Sequence, residues 1–421
     1  MSTNAQYDVI VIGGGASGMM AAGRAAERGR RVLLIEKNKK LGKKLSITGG
    51  GRCNILNAEE DERALIANYG DAAKFLYSPF SQHGMKDSWR FFEERGIPIV
   101  VEARKRAFPQ TQNAEDVTWA MRTYVTSNNV ELKLGVKVQR LVVENGTVTE
   151  VVTNNGSYTA KKIILATGGA SHPETGSTGD WMSWIASLGH TVHESNPNIV
   201  PLTVAEDWVK SLSGTSLSFM KITFGTNRGK NPPSGIGRFS KTGKILFTHF
   251  GVSGPLILNA AHEVKHLLKN GPVPSAIDMY PDTEVGTLRN RVLELFNEHK
   301  NKTVKNILKD CTPAGMTAAV AAQLPSEVLE SKVHSVSKEN REFIADVQKA
   351  MPLTITGTMG LDWAVISDGG VELTEVDMKT MRSKVVENLY FTGDVLNINR
   401  PSGGFSLQLC WTTGWVAGSA V

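Results

Sequence analysis

The sequence predicts an α/β chain: a Rossmann-like domain, an inserted β-barrel-like domain carrying a small helical subdomain, and a return to the first domain near the C-terminus. Three observations carry this. Asp8-Val-Ile-Val-Ile-Gly-Gly-Gly-Ala-Ser-Gly18 is a short apolar strand running into Gly13-x-Gly15-x-x-Gly18, and Arg31-Val-Leu-Leu-Ile-Glu36 is a second strand ending in an acid. Another apolar strand, Glu387-Asn-Leu-Tyr-Phe-Thr-Gly-Asp394, comes only near the end, so the first domain is completed late. Between them, from Pro197-Asn-Ile-Val-Pro-Leu-Thr203 onward, the pattern changes to short β-like runs and then to helices.

Each part of the opening has a mechanical reason. Gly13 allows a tight turn off the strand, Gly15 lets the backbone approach a pyrophosphate, and Gly18 lets the helix pack closely on the sheet. The helix N-terminus offers N–H groups and partial positive charge to that diphosphate. Glu36 stands where a carboxylate takes ribose hydroxyls. A β-meander follows from Val136–Val143, Thr147–Thr153 and Tyr158–Leu165, with turns at Asn145-Gly146 and Asn155-Gly156. The insert reads as strands at Met220–Thr226, Lys244–Phe250 and Ser275–Tyr280. Helices follow at Thr287–Glu298, Val304–Cys311, Met316–Leu324 and Arg341–Met351. Pro352-Leu-Thr-Ile-Thr-Gly-Thr358 is expected to return to the first sheet. The expected boundaries are 1–192 and 352–421 for the two parts of the first domain, 193–282 for the barrel-like insert and 283–351 for the helical subdomain.

Further segments carry a resemblance: Lys161-Lys-Ile-Ile-Leu-Ala-Thr-Gly-Gly169, Lys43-Lys-Leu-Ser-Ile-Thr-Gly-Gly-Gly-Arg-Cys-Asn54, Ser171-His-Pro-Glu-Thr-Gly-Ser-Thr-Gly-Asp180, Gly251-Val-Ser-Gly-Pro255 and Gly403-Gly-Phe-Ser-Leu-Gln408. Together they resemble the two-dinucleotide-binding-domain flavoproteins, and within them the BaiN/RdsA-type, aminoacetone-oxidase-like NAD(P)/FAD-dependent oxidoreductase family. The resemblance spans essentially the whole chain, and Gly-Gly-Gly-Arg-Cys-Asn is its most specific part. It implies non-covalent FAD, bound by Gly13, Gly15, Ala16, Ser17, Gly18 and Glu36 at one end. Lys37, Lys44, Val138, Thr167, Gly168, Gly393 and Asp394 continue the expected bed, Asp394 toward the ribityl chain. Gly51, Arg52, Cys53, Gly404 and Phe405 are expected toward the isoalloxazine. Small amines, bile-acid intermediates and ribosomal RNA uridine have all been assigned to members, so the family implies an FAD oxidoreductase more firmly than a substrate.

Composition narrows the class. The 421 residues give a core large enough to need no staples, and three cysteines, Cys53, Cys311 and Cys410, build neither a disulfide framework nor a metal site. No apolar run approaches the roughly 18 residues of a membrane span, and the N-terminus leads directly into a strand, with no room for a signal peptide. A cytoplasmic protein with neither membrane nor metal partner is expected. The last residues fall inside an expected final helix, which implies a truncated or partly ordered C-terminus.

Net charge is +6, and its placement says more. Trp208 to His262 holds no Asp or Glu but contains Lys210, Lys221, Arg228, Lys230, Arg238, Lys241 and Lys244. A second acid-free window, Lys37 to Ala58, leads toward the expected flavin face, and Arg104-Lys-Arg106 adds a third cluster. These stripes suit either a solvated surface or a polyanion, with Arg228, Lys230, Arg238, Lys241 and Lys244 the RNA-binding candidates. Phenylalanines 219, 224, 239, 247 and 250 alternate with these charges, as core residues of strands do. Reducing a C=C or C=N bond with a flavin needs a proton donor. Cys53, beside the charge of Arg52, His172 after the Ala-Thr-Gly-Gly strand, and His249 in the insert are the candidates. Cys410 reads as core and Cys311 as structural. No second glycine fingerprint with a trailing acid follows residue 180, so NAD(P)H is expected only as a transient donor, or electrons pass from substrate to oxygen. Three readings stay open: a reductase forming dihydrouridine in large-subunit ribosomal RNA or an assembly intermediate, an oxidase or reductase of a small amine or ketone, and a non-enzymatic flavoprotein.

Overall fold

The computed structural model describes residues 6–225 and 238–421. The chain divides into two compact units, residues up to Pro197 together with Leu361–Val421, and Asn198–Gly360. In chain order the elements that matter are β1 (Tyr7–Ile12), α1 (Ala16–Glu27), β2 (Val32–Glu36), β3 (Glu131–Leu134) and β4 (Ala160–Leu165). The second unit contributes β5 (Leu202–Val204), β6 (Ser216–Phe224), β7 (Phe239–Thr248), β8 (Gly251–Ser253), α2 (Pro255–Leu268), β9 (Val273–Asp278) and β10 (Met351–Thr358). The chain then closes with β11 (Leu389–Phe391) and α3 (Phe405–Ala420).

The first unit is built on a five-stranded parallel sheet in the order β11-β4-β1-β2-β3. Its central strands β1 and β2 are apolar apart from Asp8 and Glu36 and almost completely buried, as a parallel sheet covered on both faces requires. The late strand β11 pairs Ile163 with Leu389 and Leu165 with Phe391, so the sheet is finished only after the insert. On α3, a methyl group at Gly414 would sit 2.5 Å from the Ser17 carbonyl oxygen and one at Gly418 2.5 Å from that of Ala21. The two helices therefore touch backbone to backbone.

Two sequence expectations need correction. The run Tyr158–Leu165 is not one strand. Gly156–Tyr158 ends a three-stranded meander with Val138–Glu144 and Thr147–Thr153, and Ala160–Leu165 leaves it to become β4 of the parallel sheet. A strand buried on both faces cannot also serve as the edge of a half-exposed hairpin. Likewise β10 does not return to the first sheet at residue 352. It pairs with β5 and β9 and closes a six-stranded barrel in the order β5-β8-β7-β6-β9-β10.

The second unit otherwise follows the expected run of strands, then helices at Val285–Glu298, Val304–Cys311, Thr317–Ala321, Ser326–Glu330 and Lys338–Lys349. Helix α2 was not anticipated, although Gly254-Pro255 is a helix start with proline in its favoured first turn. Among the described residues no helix is long and apolar enough to cross a membrane, and no group of three or more His, Cys, Asp or Glu is placed to hold a metal ion.

One buried base gives the first unit a pH dependence. The His83 ring stacks on Trp415 at 4.5 Å and 19°, and its Nε2 has no hydrogen-bond partner among the described residues. Burial pushes its pKa down to about 4, against about 6.5 in the unfolded chain. Between those values the unfolded state binds a proton that the folded state refuses, so stability is full above pH 6.5 and falls as pH drops toward 4. From pH 7 to pH 5 this group should cost on the order of 2 kcal/mol. His83→Phe keeps the stacked ring and should remove that part of the loss in urea unfolding; an unchanged pH slope in the variant would refute it.

Candidate active site

A cleft in the first unit opens at the C-terminal ends of β1 and β4, where α/β sheets place ligands. Its floor is the turn Gly13–Ser17 at the start of α1, and its walls include Glu36–Asn38, Lys137 with Val138, Ala166–Gly168, Thr175–Trp181 and Asp394. Gly13 has φ +105°, and a methyl group there would lie 2.5 Å from the Ala166 carbonyl oxygen. At Gly18 the same test gives 1.9 Å to the Gly13 carbonyl oxygen, so helix and turn are in backbone contact. Gly15 is the opposite case, with nothing within 4 Å of an added Cβ. That space belongs to the cleft, above a helix N-terminus with no side-chain cap and with N–H groups to offer an anion.

Glu36 is almost fully buried and holds this floor together. Its Oε2 accepts from the Gly14 N–H at 2.7 Å, and its Oε1 from the backbone N–H and Nδ2 of Asn38 at 2.8 and 2.7 Å. Asn38 Nδ2 also donates to the Thr175 carbonyl at 2.9 Å. Three lysines tie the same wall. Lys37 Nζ donates to Thr178 Oγ1 at 2.7 Å, Lys43 Nζ to the Glu174 carbonyl at 2.5 Å, and Lys44 Nζ to Ser171 Oγ and its carbonyl at 2.6 and 2.9 Å. Burial lowers the Lys44 pKa, with the Asp394 carboxylate opposing that shift.

At the far side Asp394 pairs with Arg400. The buried guanidinium also donates to the Ile398 carbonyl at 2.7 Å and to Ser406 Oγ at 3.1 Å. Sequence reasoning missed Arg400; its signal was a single cation in the Leu396–Pro401 run just after Gly-Asp. It also missed that Thr175–Asp180 forms a cleft wall. Thr167 Oγ1 is buried with no partner among the described residues. An unsatisfied hydroxyl, open space over Gly15 and an uncapped helix start together fit a bound dinucleotide.

The other site expectations fall variously. Cys53 is fully buried at φ +59°, and burial pushes its thiol pKa up, the reverse of the expected lowering. Arg52 does not offset that burial: it bonds Gln112 Oε1 at 2.6 Å and Glu102, and lies 4.2 Å over the Phe108 ring. Gly51, Arg52, Cys53, Gly393, Gly404 and Phe405 stand outside the cleft lining, whereas Ala16, Ser17, Lys37, Lys44, Val138, Thr167 and Gly168 are in it. Gly404 instead abuts the backbone of Leu56, and Phe405 packs edge-on against Tyr69. Cys410, expected in the core, lines the cleft, its thiol raised to about 12 mainly by burial and then by Asp394.

His172 has φ +53° and its Nδ1 lies 2.9 Å from Glu174 Oε1. His249, in the second unit, is exposed and packs edge-on against Phe250. Arg228 and Lys230 lie outside the described residues. Arg238 and Lys244 are exposed, but Lys241 is paired with Glu263 at 2.9 Å, and Lys210 with Asp207 at 2.9 Å. The acid-free stretch is acid-free in sequence only, because Glu263 begins where it stops.

A family model described as HI0933-like protein Rossmann domain matches residues 7–420. The chain is 28% identical over 422 residues to a 3-dehydro-bile acid delta(4,6)-reductase of Clostridium scindens, covering 97% of this chain and 98% of the relative. It is 26% identical over 417 residues to the ribosomal RNA dihydrouridine synthase of Escherichia coli, covering 97% and 96%. In fold it is similar to a flavocytochrome c3 fumarate reductase, with a TM-score of 0.54 at 15% identity, over 100% of this chain and 78% of the other. The fold is thus of the Rossmann FAD-binding type, and the cofactor is a flavin.

The glycine geometry separates folding from cofactor binding. Gly15→Val should fold with a wild-type circular dichroism spectrum and purify without flavin, since only the cleft is filled. Gly18→Val should be recovered largely as insoluble protein. Glu36→Ala should weaken flavin retention, as a charge-assisted hydrogen bond is worth about 1.5–3 kcal/mol. A yellow, fully loaded Gly15→Val protein would place the cofactor elsewhere.

Proposed function

From the fact that the chain belongs to the HI0933-like Rossmann-domain family, we propose that it is an enzyme using non-covalent FAD to reduce the C5=C6 bond of a uridine in large-subunit ribosomal RNA. The observation that carries this reading is the pairing of two relatives, each matched over nearly the whole chain, whose names describe one kind of chemistry. Dihydrouridine arises by saturating a C=C bond conjugated with the C4 carbonyl. A delta(4,6)-reductase of a 3-dehydro substrate likewise acts on alkenes conjugated with a carbonyl. The exposed cations Arg238 and Lys244 favour the polyanionic member of this pair.

When bound and reduced, the flavin would supply the hydride for the electrophilic carbon of such an alkene and be left oxidised. The remaining roles fall to the chain. Gly13–Ser17 and the start of α1 hold the diphosphate, and Glu36 takes the adenosine ribose while keeping the Gly14 turn in shape. Val138 would border the adenine, and Thr167, Gly168 and Asp394 would meet the ribityl chain, with Arg400 fixing the Asp394 carboxylate. Lys37 and Lys44 fasten the Ser171–Asp180 wall through Thr178 and Ser171. Cys53 has no route to the second carbon's proton from its buried position. That role passes to His172, whose Nδ1 is oriented by Glu174 Oε1 at 2.9 Å, leaving Nε2 for the substrate. A nicotinamide dinucleotide would supply the electrons that reduce the flavin, itself becoming oxidised, and an RNA substrate would place the enzyme in the cytoplasm. A small enone substrate is the second reading, favoured by the bile-acid reductase relative.

A deletion strain should lose dihydrouridine from its large-subunit RNA, read by nucleoside mass spectrometry, and regain it on complementation. Charge reversal at Arg238 and Lys244 should fail to complement while retaining flavin and thermal stability, since exposed charges cost little in folding. RNA modification unchanged in the deletion, with turnover of small enones by the pure protein, would move the assignment to the second reading.

A further inference from the structure

Phe219 behaves unlike the other phenylalanines of the barrel strands. Phe224 and Phe247 are completely buried, whereas Phe219 is 55% exposed. Its backbone sits at φ +59°, in the left-handed region that bulky side chains avoid. The cause is a β-bulge. Leu217 pairs with Ile245 and Met220 with Gly243, so Ser218 and Phe219 together oppose the single residue Lys244. The bulge re-aims the ring. Leu217, Met220, Ile222 and Phe224 keep the inner face, and Phe219 joins the outer one.

That outer face is basic. Lys244 and Lys221 are both exposed and flank the ring along it. The carboxylate facing Lys221 across the sheet, Asp278, is held by Lys349 at 2.7 Å. Lys241 pairs with Ile222 on the opposite face and is held by Glu263. A strained backbone that carries an apolar ring into water between two cations is disfavoured twice over unless something uses it. An aromatic face beside unspent positive charge is the combination that binds single-stranded nucleic acid, the ring taking a base and the cations its phosphates.

We propose that Phe219 is a stacking platform for an unpaired nucleotide of the RNA substrate, with Lys221 and Lys244 contacting the adjoining phosphates. The proposal rests on the RNA reading above and deepens it by naming where the strand is gripped. A purely apolar protein partner would not match two lysines beside the ring.

The test uses the flavin-loaded full chain and a short fluorescent oligouridylate, with affinity measured across a salt series. Phe219→Ala should bind roughly 5- to 150-fold more weakly with an unchanged log–log salt slope, because stacking releases no counterions. Phe219→Trp should restore affinity, and Lys244→Gln should lower the slope by about 0.7. All three should keep wild-type flavin content and melting temperature. If wild type binds with a clear salt slope and Phe219→Ala binds equally well, this inference fails while the RNA reading stands. If Phe219→Ala changes only the sedimentation of the protein alone, the ring seals a contact between copies and the inference is overturned. Absence of any wild-type binding at low salt defeats the RNA reading and this inference together.

Discussion

Helix α1 is approached from several sides more closely than any side chain allows. An added methyl would lie 1.9 Å from the Gly13 carbonyl at Gly18, 2.3 Å from the Tyr124 ring at Gly23, and 2.5 Å from the α1 backbone at Gly414 and Gly418 of α3. Three of these four collisions are with backbone, which cannot rotate away. The helix is therefore fixed in axis and in depth against the end of β1, and its N-terminus is fixed with it. A cleft whose floor is a helix start requires that immobility, because N–H groups aimed at a diphosphate are useful only if they do not have to be reoriented on binding. Close-packed helices thus translate directly into a preorganised anion site.

Charge around that floor is arranged by the same economy of motion. Glu36 is oriented by Gly14 and Asn38, Asp394 by Arg400, and Lys37, Lys43 and Lys44 by the wall they fasten. All but the exposed Lys43 are buried or half-buried groups meeting a fixed partner, which is how such groups avoid the desolvation penalty. Lys37, Lys43 and Lys44 of the Lys37–Ala58 window consequently serve the cleft's own architecture, whereas Lys39 and Lys40 stay exposed.

The fold was legible where a local rule dictates it. The glycine turn, both flanking strands, the late β11 and the final helix α3 follow from period, glycine spacing and strand-terminal acid, which are short-range properties. Pairing partners were less legible. The run at 158–165 looked like one strand because no proline or glycine breaks it, and β10 looked like a return because only its registers with β5 and β9 reveal the barrel. In the site, the Cys53 expectation failed on burial, which adjacency to Arg52 in sequence does not reveal, and the guanidinium is engaged by Glu102, fifty positions away. Phe219 was hidden for a related reason, since a bulge shifts the alternation that sequence patterns rely on.

Anaerobic single-turnover kinetics can join the cleft to the proposed chemistry. Protein with its flavin prereduced would be mixed with large-subunit RNA from a strain lacking the enzyme. Flavin absorbance and dihydrouridine would be followed together. The account predicts that the RNA reoxidises the flavin far faster than buffer does, with one dihydrouridine formed per flavin oxidised. Reoxidation that ignores RNA, but responds to a small conjugated ketone with saturation of its C=C bond, would contradict it.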